Sequence, residues 1–259
     1  MSRRTSSLLR NPKLLRFLLN QKSLLTTPYD VTVLIAGWNG EGYIGAAIDS
    51  AFTQMGVDVQ VIVGDDNSSD GTVGVAIAHG AEVLIGTENL RKGLRINSIW
   101  PYAKGRYVFV MDQDDTVEPD ALTEMVRAFD ELRERTGESR YFLYGQTQYH
   151  GASHRLHRPP VFDAAQFYKH NPVCSNILVH RDTINADGIL YSPIRNIHPE
   201  DWMYMLLLIE AGYVGHPLYD TLVLHYLYEP KSYDNERYTI SWKLMREYFG
   251  PKFKPGKNL

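Results

Sequence analysis

With one cysteine, Cys174, in 259 residues, the chain has no internal disulfide framework, which fits a reducing compartment. Long apolar runs are missing as well. The longest strongly apolar stretch, residues 202–209, is far too short to span a bilayer. Basic residues interrupt the leucines of the N-terminus, so no secretory signal is expected there and a cytoplasmic location is. Positive charge is not in excess: 27 Lys and Arg stand against 30 Asp and Glu, a net charge of −3. That balance argues against a generic nucleic-acid binder. The run G-x-x-x-x-G-K-[ST] does not occur, so this is not a P-loop enzyme. No G-x-G-x-x-G follows the first strand pattern, which speaks against a dinucleotide cofactor. There is no internal repeat and no long low-complexity linker.

The composition that remains, 44% hydrophobic and 22% charged, is that of one large core, and a single embellished α/β domain is expected. Residues 1–29 form a basic, leucine-rich extension without an acid. Leu14, Leu15, Phe17, Leu18 and Leu19 share a helical face beside Lys13, Arg16 and Lys22. That pattern suits a helix lying on an anionic membrane surface, a helix packed on the protein's own core, or a transit peptide. From there strand and helix patterns alternate. Strands are expected at 31–36, 57–64, 82–85 and 107–111, with helices at 43–54, from Asp70 to about 79, before Gly105, and at 121–135 with Pro119 as its first residue. This order predicts a doubly wound, mainly parallel sheet with helices on both faces. Beyond it the pattern is less regular, with strands at 140–149, 173–180, 213–216 and 218–226 and a helix at 200–211. The expected domain runs over 30–230, a regular half to about 116 and a less regular half from 117. A basic, aromatic helix and tail fill 231–259.

Two of these strands end in acids. Asp65 and Asp66 follow the second. Asp112, Gln113, Asp114 and Asp115 follow the fourth. Three carboxylates in four residues repel one another unless something positive sits among them, and such strand ends line the ligand crevice of open α/β sheets. Asp oxygens suit Mg²⁺ or Mn²⁺ rather than zinc. A cation held by few protein ligands leaves room for a substrate diphosphate, so a nucleoside diphosphate compound is the implied ligand.

Three stretches carry a resemblance in order and spacing: VTVLIAGWNGEGYIGAAIDSAFTQ, VIVGDDNSSDGT and GRYVFVMDQDDTVEPDAL, with HPEDWMYMLLLIEAGY as a fourth, shorter match. Together the chain resembles a family-2 glycosyltransferase of the GT-A fold over about residues 31–226. The resemblance implies an inverting transfer from a nucleotide-sugar, by default a UDP-sugar, to a glycan or lipid-linked saccharide. It implies Asp66 at the base with Asp65 beside it, and Ala36 and Trp38 lining the base pocket. Asp112 and Gln113 fall at the ribose, with Arg91, Lys92 or Arg95 toward the diphosphate. Asp114 is the principal metal ligand with Asp112 and His225, Asp115 a brace of the loop, Asp201 the catalytic base and Glu200 its neighbour. Ala36 stands where a hydroxyl residue is common, and the A-R-N segment before the metal strand reads Arg95-Ile96-Asn97.

Two other classes fit parts of the pattern. A sugar-1-phosphate nucleotidyltransferase needs Lys or Arg in the loop after the first strand, and residues 37–42 have neither. A non-catalytic glycan or nucleotide binder on the same fold would lack Asp114 or Asp201, and both are present.

Overall fold

The computed structural model describes residues 28–173, 176–194, 199–228 and 235–255. The helix expected within residues 14–22 lies outside them, as does Lys257. Tyr29, counted with the N-terminal extension, opens the first strand.

The architecture rests on β1 (Tyr29–Gly37), which runs parallel to β2 (Val59–Asp65) on one side and to β4 (Gly105–Asp112) on the other. β3 (Glu82–Ile85) extends the parallel sheet beyond β2. Successive side chains of a strand point to opposite faces, and here both faces are covered. Val31, Val33, Ile35, Val61, Val63, Tyr107, Phe109 and Met111 feed one core. Leu34, Ile62, Val108 and Val110 feed the other. This explains why these strands read as nearly continuous apolar runs.

The first core is roofed by α1 (Ile44–Phe52), α2 (Thr72–Ala78) and α4 (Ala121–Thr136). On α4 the buried Ala121, Leu122, Met125, Val126, Phe129 and Leu132 recur at helical spacing, and Gly137 ends it in the left-handed conformation (φ 76°), where a side chain would be strained. The second core packs under α3 (Lys92–Ile99) and α7 (Glu200–Glu210) and, from the C-terminal segment, Met245 and Phe249 of α8 (Asn235–Phe249).

Beyond β4 the sheet turns mixed. β8 (Leu178–His180) is antiparallel to β4 and to β6 (Tyr141–Gly151); β9 (Val214–Tyr228) is parallel to β6; β5 (Thr116–Val117) closes the edge against β9, and β7 (Leu156–His157) pairs off β6. Two short helices, α5 (Ala164–Phe167) and α6 (Arg181–Asp187), occupy stretches without an expected element.

Three expectations are corrected. The two strands read at 213–216 and 218–226 are one strand, β9, whose register jumps from Tyr144↔Pro217 to Gln146↔Leu222. Pro217 has no N–H for the ladder, so the chain bulges there instead of ending. Pro119 is not the first helical residue; α4 starts at Ala121, and the Pro119 carbonyl accepts from the Met55 N–H at 2.8 Å. Of the strand read over 173–180, β8 covers 178–180, while Val173, Asn176 and Ile177 lie outside any strand and residues 174 and 175 lie outside the described ones.

Candidate active site

The strand order reverses at β1, and its C-terminal end therefore forms a crevice. The register places Gly37 opposite Asp65 and Ala36 opposite Asp112. Both acidic strand ends thus flank the end of β1.

Their acids divide into half-buried and buried ones. Asp112 and Asp114 are half-buried, whereas Asp65, Asp66 and Asp115 are almost fully buried. Asp66 spends its carboxylate internally. Its oxygens accept from the Leu90 N–H at 2.7 Å, the Arg91 N–H at 2.8 Å and Arg95 Nε at 3.1 Å. Arg91 itself takes a left-handed φ of 71°, a conformation held by that brace. Arg95 completes the lattice by donating to the Glu88 carbonyl at 2.9 Å. Glycines make room for it, since a Cβ on Gly86 would fall 2.1 Å from the guanidinium and one on Gly64 2.8 Å from its stem. In this structure Asp66 and Arg95 brace each other and the residue 88–91 loop, and both are buried. Asp65 likewise accepts from the Ser68 N–H at 3.2 Å, and its other oxygen is buried without a partner.

Gln113 also braces. Its amide oxygen accepts from the Trp38 N–H at 2.8 Å and its amide nitrogen donates to the Trp38 carbonyl at 3.0 Å. This two-point clasp pins the loop after β1 to the end of β4 and leaves the Trp38 ring 48% exposed at the crevice. Asp115 accepts from Asn176 Nδ2 at 3.1 Å, with one oxygen buried and unpartnered. Burial, and then Asp112 and Asp114, push its carboxyl well above the ordinary range.

The positive charge that the acidic strand end requires is Lys92. Its ammonium lies 2.5 Å from Asp112 Oδ1 and 3.0 Å from Asp201 Oδ1. Burial opposes that charge, yet the two carboxylates outweigh it and hold the ammonium well above the ordinary lysine value. Asp201 and Glu200 form the first turn of α7, where the helix dipole favours negative charge. Burial acts the other way and prevails. It lifts Asp201 to about 6 against the pull of Lys92, with Glu200 and Asp112 adding to the rise, and it raises Glu200 as well. A segment carrying Tyr191 closes over this group. Asn97 holds the Tyr191 backbone through both its N–H and its carbonyl, at 3.0 and 2.9 Å, and Tyr191 stacks on Tyr204 with ring centres 4.3 Å apart. Both hydroxyls are buried without a partner.

His225 stands apart from this constellation. Its Nδ1 meets His150 Nε2 at 2.8 Å and its Nε2 meets the Glu118 carboxylate. Both ring nitrogens are engaged here by protein partners, so His225 would have to give one of them up to serve as the metal ligand the resemblance implies. Asp112 and Asp114 are the other two side chains the resemblance implies for the cation. Among the described residues no three His, Cys, Asp or Glu side chains are gathered to hold a metal by themselves. Two adjacent half-buried carboxylates still fit Mg²⁺ or Mn²⁺, because such ions are commonly held by one or two carboxylates plus substrate phosphates.

Sequence reasoning brought Asp112, Asp114, Asp201 and Glu200 together and missed the Lys92 bridge and the Asn97–Tyr191 clasp. One signal for Lys92 was there. It is the first residue of α3, and a cation at a helix start is unfavourable unless acids offset it.

Comparison with known proteins bears on the family and the fold. The model of "Glycosyl transferase family 2" matches residues 32–186. The succinoglycan biosynthesis protein ExoO of Rhizobium meliloti is 40% identical over 104 residues, 39% of this chain and 30% of that protein. The chain thus spans about a third of the length of such curated relatives. The Escherichia coli protein WfaP, a UDP-Glc:alpha-D-GlcNAc-diphosphoundecaprenol beta-1,3-glucosyltransferase, is 23% identical over 186 residues, covering 70% of this chain and 71% of that one. Among solved structures, S. aureus TarS 1–349 in complex with UDP-GlcNAc superposes with a TM-score of 0.68 at 16% identity, over 84% of this chain and 66% of that one. The fold is that of the GT-A glycosyltransferases.

Proposed function

The chain belongs to glycosyl transferase family 2, and from that premise we propose that it is an inverting glycosyltransferase moving a sugar from a UDP-sugar to a hydroxyl of a glycan or lipid-linked saccharide. The observation that carries the reading is the convergence of Asp112 and Asp201 on one ammonium, 2.5 and 3.0 Å away. A donor-side acid and a first-turn acid 89 residues apart in the chain share one locus. UDP as the nucleotide is supported by the donor in WfaP's name and by the ligand of TarS, and a lipid-linked acceptor by the diphosphoundecaprenol in WfaP's name.

In this reading Ala36 and the exposed Trp38 ring line the base pocket, while Asp66, Arg95 and Gln113 keep its walls in place. Trp38 offers a π-face that stacks on any base. Asp114 and Asp112 hold Mn²⁺ or Mg²⁺. When bound, that ion supplies Lewis-acid stabilisation of the departing nucleoside diphosphate. Asp201 accepts the proton of the acceptor hydroxyl at its carboxylate as that oxygen attacks the anomeric carbon. Attack from the face opposite the leaving group inverts the configuration. Glu200 beside it makes the pocket more negative. The Tyr191 segment, pinned by Asn97, excludes water from the bond being broken. Much of the rate gain comes from such positioning.

The test is UDP release from a panel of UDP-sugars with candidate acceptors and Mn²⁺, with the anomeric configuration of the product read by NMR. Release of UDP with inversion is expected. A retained configuration would remove Asp201 from the role of simple base, and no release with any nucleotide-sugar would remove the activity.

A further inference from the structure

The resemblance offers Lys92 as one of three candidates for the diphosphate, yet the structure places it between two carboxylates. Its ammonium is 2.5 Å from the carboxylate expected to share the metal and 3.0 Å from the expected base. It already neutralises the charge that would attract a divalent ion. An Mg²⁺ or Mn²⁺ ion held by Asp112 would have to share that carboxylate with the ammonium. Like charges so close in a partly desolvated site repel strongly. The lysine is flexible enough to leave, because an ammonium on a four-carbon stem can swing while its backbone stays put. That backbone is well anchored, since Asp66 holds the Arg91 N–H one residue before it and Tyr191 packs on Gly93 one residue after it.

We infer that Lys92 is a resident counter-ion that yields Asp112 to a divalent cation only when a diphosphate arrives to take the ammonium. The inference rests on the donor reading above and adds an order to it. Cation alone binds weakly, and cation and nucleotide bind together. The same displacement uncouples Lys92 from Asp201, so the base is released only once the donor is in place. Lys92 is thus a positioning residue that links the two halves of the site. It stays charged throughout, and no proton transfer to or from it is involved.

The test measures Mn²⁺ binding by calorimetry on the full chain, with and without saturating UDP, in the wild type and in Lys92→Met, Lys92→Gln and Lys92→Arg. Thermal melts establish that each variant folds. Two neutral variants are used so that a misfolded one does not end the test. In the neutral variants Mn²⁺ alone should bind at least about tenfold more tightly than in the wild type, and the coupling between Mn²⁺ and UDP should shrink, on a scale where coupling factors of 5–150 are usual. Lys92→Arg, which keeps the charge, should stay close to the wild type. If folded Lys92→Met and Lys92→Gln take up Mn²⁺ no more tightly than the wild type, while the wild type does bind Mn²⁺ with UDP, the counter-ion role is wrong and the donor reading survives. If the wild type binds no UDP even with Mn²⁺, both fall together.

Discussion

At Asp201 burial and a helix start act against each other, and the outcome is a carboxyl near 6. A general base is most useful when its pKa lies close to the working pH. The rate constant kcat/KM should therefore rise as pH climbs through about 6 and level off above it, since the base must be ionised. Asp201→Asn keeps the shape and removes the basicity. Turnover should drop at least ~100-fold, the usual scale for losing a general base, with UDP affinity nearly unchanged and the acidic limb of the pH profile gone. Near-normal turnover in that variant would place the base elsewhere. At the metal locus, Asp114→Ala should reduce UDP affinity in Mn²⁺ to the level measured in chelator while the melting temperature stays near the wild type. Equal UDP affinity with and without metal in the wild type would refute the Asp114 assignment. The acids were legible because they break apolar strands abruptly. What the sequence did not disclose is which of them are already spent on internal donors, as Asp66 is on Leu90, Arg91 and Arg95.

At the scale of elements, α6 shows how a strand end and a helix start share one residue. His180 is the last residue of β8, pairs with Tyr107 across the antiparallel ladder, and caps α6 by accepting from the Thr183 N–H at 3.3 Å through Nδ1. That acceptor exists only on the neutral ring. Burial, and then Arg133, lower His180 to about 4 from an ordinary 6.5. The folded chain therefore resists a proton that the unfolded chain accepts. The stabilisation is complete above pH 6.5 and is lost as pH falls from 6.5 toward 4, by up to ~3 kcal/mol in the limit. Urea unfolding at pH 7.5 and at pH 5 should show the wild type losing stability, and His180→Asn, which keeps a capping oxygen, losing clearly less. An equal loss in both would mean other groups carry the acid sensitivity. The helices α1 and α4 were readable because each buries a periodic apolar face, and β1, β2 and β4 because they are nearly continuous apolar runs. α5, α6 and the bulge at Pro217 were not, because they are short and set by what they pack against.

At the scale of the whole molecule, among the described residues no helix is long and apolar enough to cross a membrane. We propose that the basic, leucine-rich residues 1–27, helped by the exposed Lys254, dock reversibly on an anionic surface, where each basic residue contributes about 1 kcal/mol; Lys252 is already paired with Glu210 at 3.0 Å. The full chain should co-sediment with phosphatidylserine-containing vesicles, and less so as salt rises, because screening weakens the attraction. A chain beginning at Pro28 should bind markedly less. Identical sedimentation of the two would assign residues 1–27 to some other role.

The sequence by itself determined the parallel βαβ half, the position of its acidic strand ends and the first-turn acids of α7. Apolar periodicity and abrupt polarity changes are local properties, and a strand's face or a helix's stripe is written in consecutive residues. Tertiary structure alone decided which charges meet. Lys92 lies 20 residues before Asp112 and 109 before Asp201, and only the reversal of strand order at β1, with α3 and α7 packed over one face, brings the three to one point. It also decided that His225 faces Glu118 and His150, and that Arg95 is buried against Asp66. A side chain's partners depend on the sum of long-range packing, which no local pattern encodes.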